Sequence, residues 1–140
     1  MVNNQHRKRL LFVDDETNVR LTLSRVLVKH GFEVTSLARL DDALTEMKVQ
    51  GYDVLLSDLN LPEPNAGFTI VDEMQKAQPQ CMNIILTGDP ADETLQQARA
   101  RGVTHYFVKP VDVERLVHTI REELQRGSSK KPALERTVND

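Results

Sequence analysis

Acidic and polar side chains follow four of the short apolar runs in this sequence. Asp14 and Asp15 follow the first run, Asp58 follows the third, Thr87 follows the fourth and Lys109 follows the fifth. Carboxylates that lie close together repel one another unless their pKa values rise or a cation lies among them. Three carboxylates, a hydroxyl and an ammonium group in one place would suit a divalent cation and a phosphoryl group.

The types of these residues indicate a phosphoryl transfer that depends on magnesium. Mg²⁺ prefers oxygen ligands, and it keeps several waters and room for phosphate oxygens. Lys109 offers a positive charge and Thr87 a hydroxyl donor to the phosphoryl oxygens, which leaves one carboxylate to attack. Each residue alone has a simpler interpretation, because an aspartate commonly caps a helix and a loop lysine is usually exposed. Only the combination indicates this chemistry.

The pattern of apolar residues predicts the elements that would bring these side chains together. Short apolar runs, typical of buried strands, alternate with longer amphipathic stretches, typical of helices. The five runs are residues 10–13, 32–37, 54–56, 83–86 and 105–108. Because crossovers between parallel strands are right-handed, the alternation predicts a doubly wound α/β fold with a five-stranded parallel sheet and five helices. Ligands of such sheets bind beyond the carboxyl ends of the strands, where the chemically active residues fall.

Local signals predict where several helices begin and end. Asp41, Asp89 and Asp112 are each placed to cap a helix, because an aspartate accepts a hydrogen bond from an unpaired amide. Pro90 strengthens the start at Asp89, since its fixed φ suits the first helical position. Glycines predict the ends of three helices, at Gly31, Gly51 and Gly102.

The composition is typical of one globular domain followed by a short tail. The chain has 140 residues, of which 39% are hydrophobic, and a formal net charge of −3. Residues 1–126 are predicted to form the domain, whereas residues 127–140, rich in small and polar residues, are predicted to be a linker or flexible tail. No apolar run is long enough for a signal peptide or a membrane span, so we expect a cytoplasmic protein without membrane contact. No broad basic face indicates direct nucleic-acid binding.

From about residue 9 to about residue 125 the chain resembles the receiver domains of two-component response regulators. The segments LLFVDDE, VLLSDLNLP, IILTG and YFVKP carry the resemblance. It implies the flavodoxin-like order of strands, 2-1-3-4-5. It also implies that Asp58 is the phosphoacceptor and that Asp14 and Asp15 are carboxylates of the Mg²⁺ site. By the same resemblance Asp15 coordinates the ion directly and Asp14 acts mostly through water.

The resemblance implies roles for further residues around the acceptor. Asn60 would lend its backbone carbonyl to the Mg²⁺ ion, and Lys109 would pair with the phosphoryl oxygens. Thr87 and Tyr106 would form a switch, in which the tyrosine ring turns inward from a solvent-facing rotamer after phosphorylation. The bond from Lys109 to Pro110 would be cis.

The function implied by the resemblance is that of a signalling switch and not of an enzyme. A histidine kinase or histidine phosphotransfer protein would phosphorylate Asp58, and the surface of the fourth helix, fifth strand and fifth helix would then control a downstream protein or a fused output domain. A phosphorylation-dependent homodimer is compatible with this scheme. One alternative is a receiver-like binding module that works without phosphorylation, although no acid, lysine or acceptor is missing. The other is an aspartyl-phosphate phosphatase, which needs two aspartates separated by one residue after the first strand.

One loop departs from the family's usual pattern. Between the acceptor and the third helix, residues 62–67 read Pro-Glu-Pro-Asn-Ala-Gly, where the family usually places glycine directly after an aspartate or asparagine. Compared with that pattern, the loop looks one residue longer and has an extra proline.

Overall fold

The computed structural model describes residues 7–126, in which five strands and five helices alternate. The elements are β1 (Arg9–Val13), α1 (Thr17–Lys29), β2 (Glu33–Leu37), α2 (Leu40–Val49), β3 (Val54–Asp58), α3 (Ala66–Ala77), β4 (Met82–Thr87), α4 (Asp92–Ala100), β5 (His105–Val108) and α5 (Val113–Gln125). All strand pairs are parallel, and the order is β2-β1-β3-β4-β5. The predicted doubly wound fold and its strand order are confirmed. The predicted tail, residues 127–140, lies outside the described residues.

Both faces of the sheet are covered by helices because the central strands are apolar on both sides. Every residue of β3 and β4 is buried. Successive side chains of a strand point to opposite faces. Leu55 and Ile85 therefore belong to an apolar cluster shared with α2, α3 and α4, whereas Leu56 and Ile84 belong to a second cluster shared with α1 and α5. No helix within residues 7–126 is long and apolar enough to cross a membrane.

The predicted helix ends agree with the structure. Gly31 and Gly102 follow the last residues of α1 and α4, with φ angles of +97° and +78°. Such angles favour glycine, because a Cβ atom is strained there. Asp112 caps α5 as predicted, since the backbone N–H of Arg115 donates to its carboxylate at 3.2 Å.

The predicted cap of α2 is wrong. The helix begins at Leu40, one residue before Asp41, and Arg39 occupies the N-cap position without a side-chain cap. The Asp41 carboxylate accepts hydrogen bonds from the Arg39 guanidinium at 3.2 and 3.3 Å. Oδ1 of Asp41 also accepts the N–H of the next residue, Asp42, at 2.9 Å, so the carboxylate bonds within the first turn and does not occupy the N-cap position.

The predicted start of α4 at Asp89 and Pro90 is also wrong. The helix begins at Asp92. The N–H of Asp89 donates to Oγ1 of Thr87 at 3.2 Å, which makes a turn immediately after β4. This turn places Asp89 and Pro90 in the loop ahead of the helix.

The strands that carry the site are longer than predicted at their carboxyl ends. β3 continues to Asp58 and β4 to Thr87, whereas the apolar runs end two residues and one residue earlier. Asp58 lies opposite Leu86 in the parallel register. The regular sheet therefore holds the backbones of Asp58 and Thr87.

Candidate functional site

The chemically active residues meet at one edge of the sheet. Asp14 follows β1, Asp58 and Thr87 end β3 and β4, and Lys109 follows β5. Parallel strands bring their carboxyl ends to the same edge, so four separate strands each supply a polar side chain. The structure thus brings together the residues that the sequence singled out.

Lys109 is the centre of the hydrogen-bonded network. Its Nζ lies 3.0 Å from Oδ2 of Asp14, 3.1 Å from Oδ2 of Asp58 and 3.5 Å from Oε1 of Glu16. Burial opposes the charge on the ammonium, but the hydrogen bonds to Asp14 and Asp58 outweigh it, and the pKa of Lys109 lies above its ordinary value. Lys109 is therefore a fixed positive charge at neutral pH. The cis bond to Pro110 that the resemblance implied is present.

Asp14 is completely buried, and each of its carboxylate oxygens has a partner. Oδ1 accepts the backbone N–H of Glu16 at 2.9 Å, and Oδ2 accepts from Lys109. The guanidinium of Arg20 donates to the backbone oxygen of Asp14 at 2.7 Å. These contacts fix the orientation of the carboxylate at the base of the site.

Asp58 is buried in a setting that disfavours its negative charge. Burial raises the pKa of Asp58 above its ordinary value, and the hydrogen bond from Lys109 opposes this rise only in part. The nearby carboxylates of Asp14 and Asp15 add to the rise. The ionised carboxylate of Asp58 is thus incompletely compensated by the side chains around it.

The arrangement of carboxylates fits a divalent cation. One oxygen from each of Asp14, Asp15 and Asp58 lies within 4.8 Å of the others. With all three ionised and Lys109 charged, the group carries two net negative charges. A hard divalent ion with oxygen ligands balances that charge, and Mg²⁺ is such an ion. The direct role of Asp15, the water-mediated role of Asp14 and the carbonyl ligand at Asn60 stay predictions.

Thr87 and Tyr106 are both buried. Thr87 lies at the carboxyl end of its strand, beside the site, whereas Tyr106 lies within β5. The Thr87 hydroxyl accepts the Asp89 N–H, and its backbone oxygen accepts the Lys109 N–H at 2.8 Å. The solvent-facing rotamer expected for Tyr106 is wrong for this structure. Its ring belongs to the apolar cluster that includes Ala98 of α4, and only 4% of its surface is exposed. Burial raises the pKa of Tyr106 above its ordinary value.

Gly67 is a site residue whose role the sequence did not reveal. A Cβ atom at this position would lie 2.4 Å from the backbone oxygen of Asp58 and 3.0 Å from Cα of Leu59. The Gly67 N–H donates to the oxygen of Leu59 at 2.7 Å. The first turn of α3 therefore rests directly on the backbone of the acceptor. Gly67 was predicted to lie in the loop ahead of the third helix, and nothing in the sequence indicated this close approach.

Glu16 is a second residue whose contact the sequence did not predict. Its carboxylate reaches Lys109 from a largely exposed position, with 62% of the side chain accessible. Glu16 also occupies the N-cap position of α1. The signal was present in the sequence, because Glu16 directly follows the two aspartates.

Comparison with known proteins identifies the family. The model of the response regulator receiver domain matches residues 10–121. The chain therefore belongs to the receiver domains of two-component response regulators, which are signalling domains that bind Mg²⁺ at an acidic pocket.

Individual relatives agree with this family. The chain is 33% identical over 123 residues to the regulatory protein AtoC of Escherichia coli K12, in an alignment that covers 88% of this chain and 26% of AtoC. It therefore spans about a quarter of that relative. The crystal structure of a CheY-like receiver domain from Methanospirillum hungatei JF-1 is similar with a TM-score of 0.81 and 26% identity, over 86% of this chain and 96% of that one.

A second similar structure is that of an activated receiver. The solution structure of the beryllofluoride-activated NtrC4 receiver domain dimer has a TM-score of 0.78 and 27% identity to this chain. The alignment covers 86% of this chain and 98% of that one.

Proposed function

We propose that this receiver domain accepts a phosphoryl group on Asp58, in a Mg²⁺-dependent reaction with a histidine kinase or a histidine phosphotransfer protein. The contact of Lys109 Nζ with both Asp14 and Asp58, at 3.0 and 3.1 Å, carries the proposal. It places an ammonium beside the acceptor, where three carboxylates converge. Family membership supports the same reaction.

The side chains of the site have different roles in the phosphoryl transfer. A carboxylate oxygen of Asp58 attacks phosphorus, and the bond from phosphorus to the donor's imidazole nitrogen breaks. Lys109 holds Oδ2 of Asp58, which orients the carboxylate, and its charge lies where the oxygens of the phosphoryl group arrive. Thr87 can donate its hydroxyl to the same oxygens. Bound Mg²⁺ supplies further charge neutralisation, with Asp14, Asp15, Asp58 and the carbonyl of Asn60 as the residues that would hold it.

The phosphorylated domain acts on a partner through the surface of α4, β5 and α5. Thr87 links the acceptor site to this surface, since it ends β4 and bonds the loop that leads to α4. The partner is a downstream protein or an output domain fused through residues 127–140. A homodimer of the phosphorylated form is part of this proposal, and the dimer of the similar NtrC4 receiver supports it.

Labelling with a small phosphodonor tests the acceptor assignment. The protein is incubated with acetyl phosphate, with and without Mg²⁺, and the added mass is measured and located by mass spectrometry. We expect one phosphoryl group on Asp58, formed only with the divalent ion. Asp58→Asn should abolish labelling, whereas Asp42→Asn, a change at an exposed acid on α2, should leave it intact. Labelling of Asp58→Asn at the wild-type rate would contradict the assignment.

A further inference from the structure

The loop between β3 and α3, residues 59–65, is closed by a hydrogen bond from a side chain. Oδ1 of Asn60 accepts the backbone N–H of Asn65 at 2.9 Å. This bond spans residues 61–64, which include two prolines, Pro62 and Pro64. Asn60 therefore has a structural contact in this chain besides the backbone role that the resemblance implied.

The two ends of the loop are fixed independently of that bond. The Leu59 N–H donates to the oxygen of Leu86 at 2.8 Å, and the Leu59 oxygen accepts from Gly67 at 2.7 Å. Leu59 and Leu61 are both buried in the core. Asn60 is itself exposed, between two anchored leucines. The peptide plane between Asn60 and Leu61 carries the Asn60 carbonyl, and the Leu61 N–H of that plane donates to the oxygen of Glu63 at 3.2 Å, within the loop itself.

The donor of the closing bond is held in a defined position. Asn65 has a φ of 62°, in the left-handed region that asparagine adopts more readily than most residues. It is the N-cap residue of α3 and makes no side-chain cap. Its oxygen accepts the N–H of Phe68 at 3.0 Å. The Asn65 N–H is therefore a fixed point on the start of the helix, to which Asn60 is tied.

We propose that the side chain of Asn60 is a positioning residue of the cation site. By bonding to Asn65 it restrains the peptide plane whose carbonyl faces the cation under the proposed function, on which this inference rests. Without the bond, the plane keeps the contact of the Leu61 N–H with Glu63 inside the loop but loses its tie to the start of α3, so the carbonyl orientation becomes more variable.

An NMR titration with Mg²⁺ tests this role. In Asn60→Ala the carbonyl stays and the closing bond is lost, so the Kd for Mg²⁺ should rise by about 2- to 10-fold, as expected for the loss of one hydrogen bond. The Kd is read from the amide signals of Asp15 and Leu59, without any phosphodonor. Hydrogen exchange at the Asn65 amide is measured on the same samples and should become faster.

Asn60→Asp is the conservative control. Its carboxylate can still accept the Asn65 N–H, so slow exchange at that amide should be retained. Its added negative charge should leave Mg²⁺ binding at least as tight as in the wild type. A Kd for Asn60→Asp that rises as it does in Asn60→Ala would overturn the proposal.

The outcomes separate this inference from the proposed function. Fast exchange at Asn65 with an unchanged Mg²⁺ Kd in Asn60→Ala would show that the bond is merely structural, and would overturn the positioning role. Equal exchange at Asn65 in Asn60→Ala and the wild type would also overturn it. Both results leave phosphorylation of Asp58 standing. A wild-type protein that neither binds Mg²⁺ nor is labelled on Asp58 would overturn both proposals.

Discussion

The charge balance around Asp58 determines what the site can bind. Lys109 compensates one of the carboxylates that surround it, yet the pKa of Asp58 is still raised, chiefly by burial. Folding therefore disfavours the ionised carboxylate of Asp58 relative to the unfolded chain. A divalent cation relieves that cost, and so the stability of the domain should depend on metal.

Replacing the acceptor by its neutral analogue should stabilise the metal-free domain. Because the pKa of Asp58 is raised on folding, ionisation costs stability above that pKa, and the cost disappears as the pH falls through it. At pH 7 with EDTA, Asp58→Asn should therefore melt at a higher temperature than the wild type. Added Mg²⁺ should narrow the difference in melting temperature between the two proteins, since the ion stabilises the wild type by mass action.

Thermal unfolding monitored by circular dichroism checks this expectation at several Mg²⁺ concentrations. Asp42→Asn is the matched control, because it removes an exposed acid outside the site and should show no such dependence on metal. A lower melting temperature for Asp58→Asn in EDTA would mean that the hydrogen bond from Lys109 outweighs the burial of the charge.

At the scale of elements, the sequence predicted the order of strands and helices better than their ends. Apolar runs identified all five strands because burial of a central strand requires apolar residues on both faces. The cap predictions at Asp41 and Asp89 failed because the two helices begin at Leu40 and Asp92. The Asp41 carboxylate bonds Arg39 and the Asp42 N–H, and the Asp89 N–H bonds Thr87 in a turn ahead of the helix. Such local hydrogen bonds depend on geometry that periodicity does not contain. Asp112 lies directly before α5 and caps it as predicted.

The site was predictable to the extent that its residues lie at strand ends. Asp14, Asp58, Thr87 and Lys109 follow directly from the parallel arrangement. The inward position of the Tyr106 ring could not be predicted in this way, because a rotamer depends on how a helix packs over the strand. The role of Gly67 also depends on packing, since only the structure shows how closely α3 approaches β3.

The packing of α3 against β3 should not tolerate a side chain at Gly67. In Gly67→Ala the Cβ would meet the Asp58 oxygen at 2.4 Å, so α3 or the acceptor backbone must move. Overpacking of this kind costs about 1–3 kcal/mol, and we expect that loss of stability in urea unfolding. The labelling of Asp58 by acetyl phosphate should also become slower. Both effects have one cause, the displacement of the acceptor strand or the helix that rests on it.

Gly51→Ala is the control for the general effect of replacing a glycine. A Cβ at Gly51 meets nothing within 4 Å, and that residue lies away from the site, just after α2. Its replacement should leave stability within about 0.5 kcal/mol of the wild type. Equal stability and equal labelling rates for Gly67→Ala and the wild type would show that α3 moves aside without cost.

At the scale of the whole molecule, the two ends of α4 are held differently. At its C-terminal end, the Arg101 guanidinium forms an ion pair with Asp72 of α3 and lies 4.9 Å over the ring of Phe68. At its N-terminal end, the loop is tied to the sheet by the bond from the Asp89 N–H to Thr87. Thr87 ends the strand beside the acceptor. A change at Asp58 therefore reaches the N-terminal end of α4 more directly than the C-terminal end.

The last prediction follows from the double use of the Thr87 hydroxyl. A phosphoryl group on Asp58 adds negative charge and strong acceptor oxygens, so the Thr87 hydroxyl should move toward it to donate its proton. That movement should carry Oγ1 away from the Asp89 N–H and break the bond between them. Beryllofluoride bound at Asp58 should then accelerate hydrogen exchange at the Asp89 amide, while exchange at the Gly102 amide, beside the tethered end of α4, stays slow. Thr87→Ala should show fast Asp89 exchange already without beryllofluoride and no further change with it, whereas Thr87→Ser should respond as the wild type does. If wild-type Asp89 keeps its slow exchange after beryllofluoride has bound, Thr87 does not carry the signal to α4, and the acceptor must act on the α4–β5–α5 surface by another route.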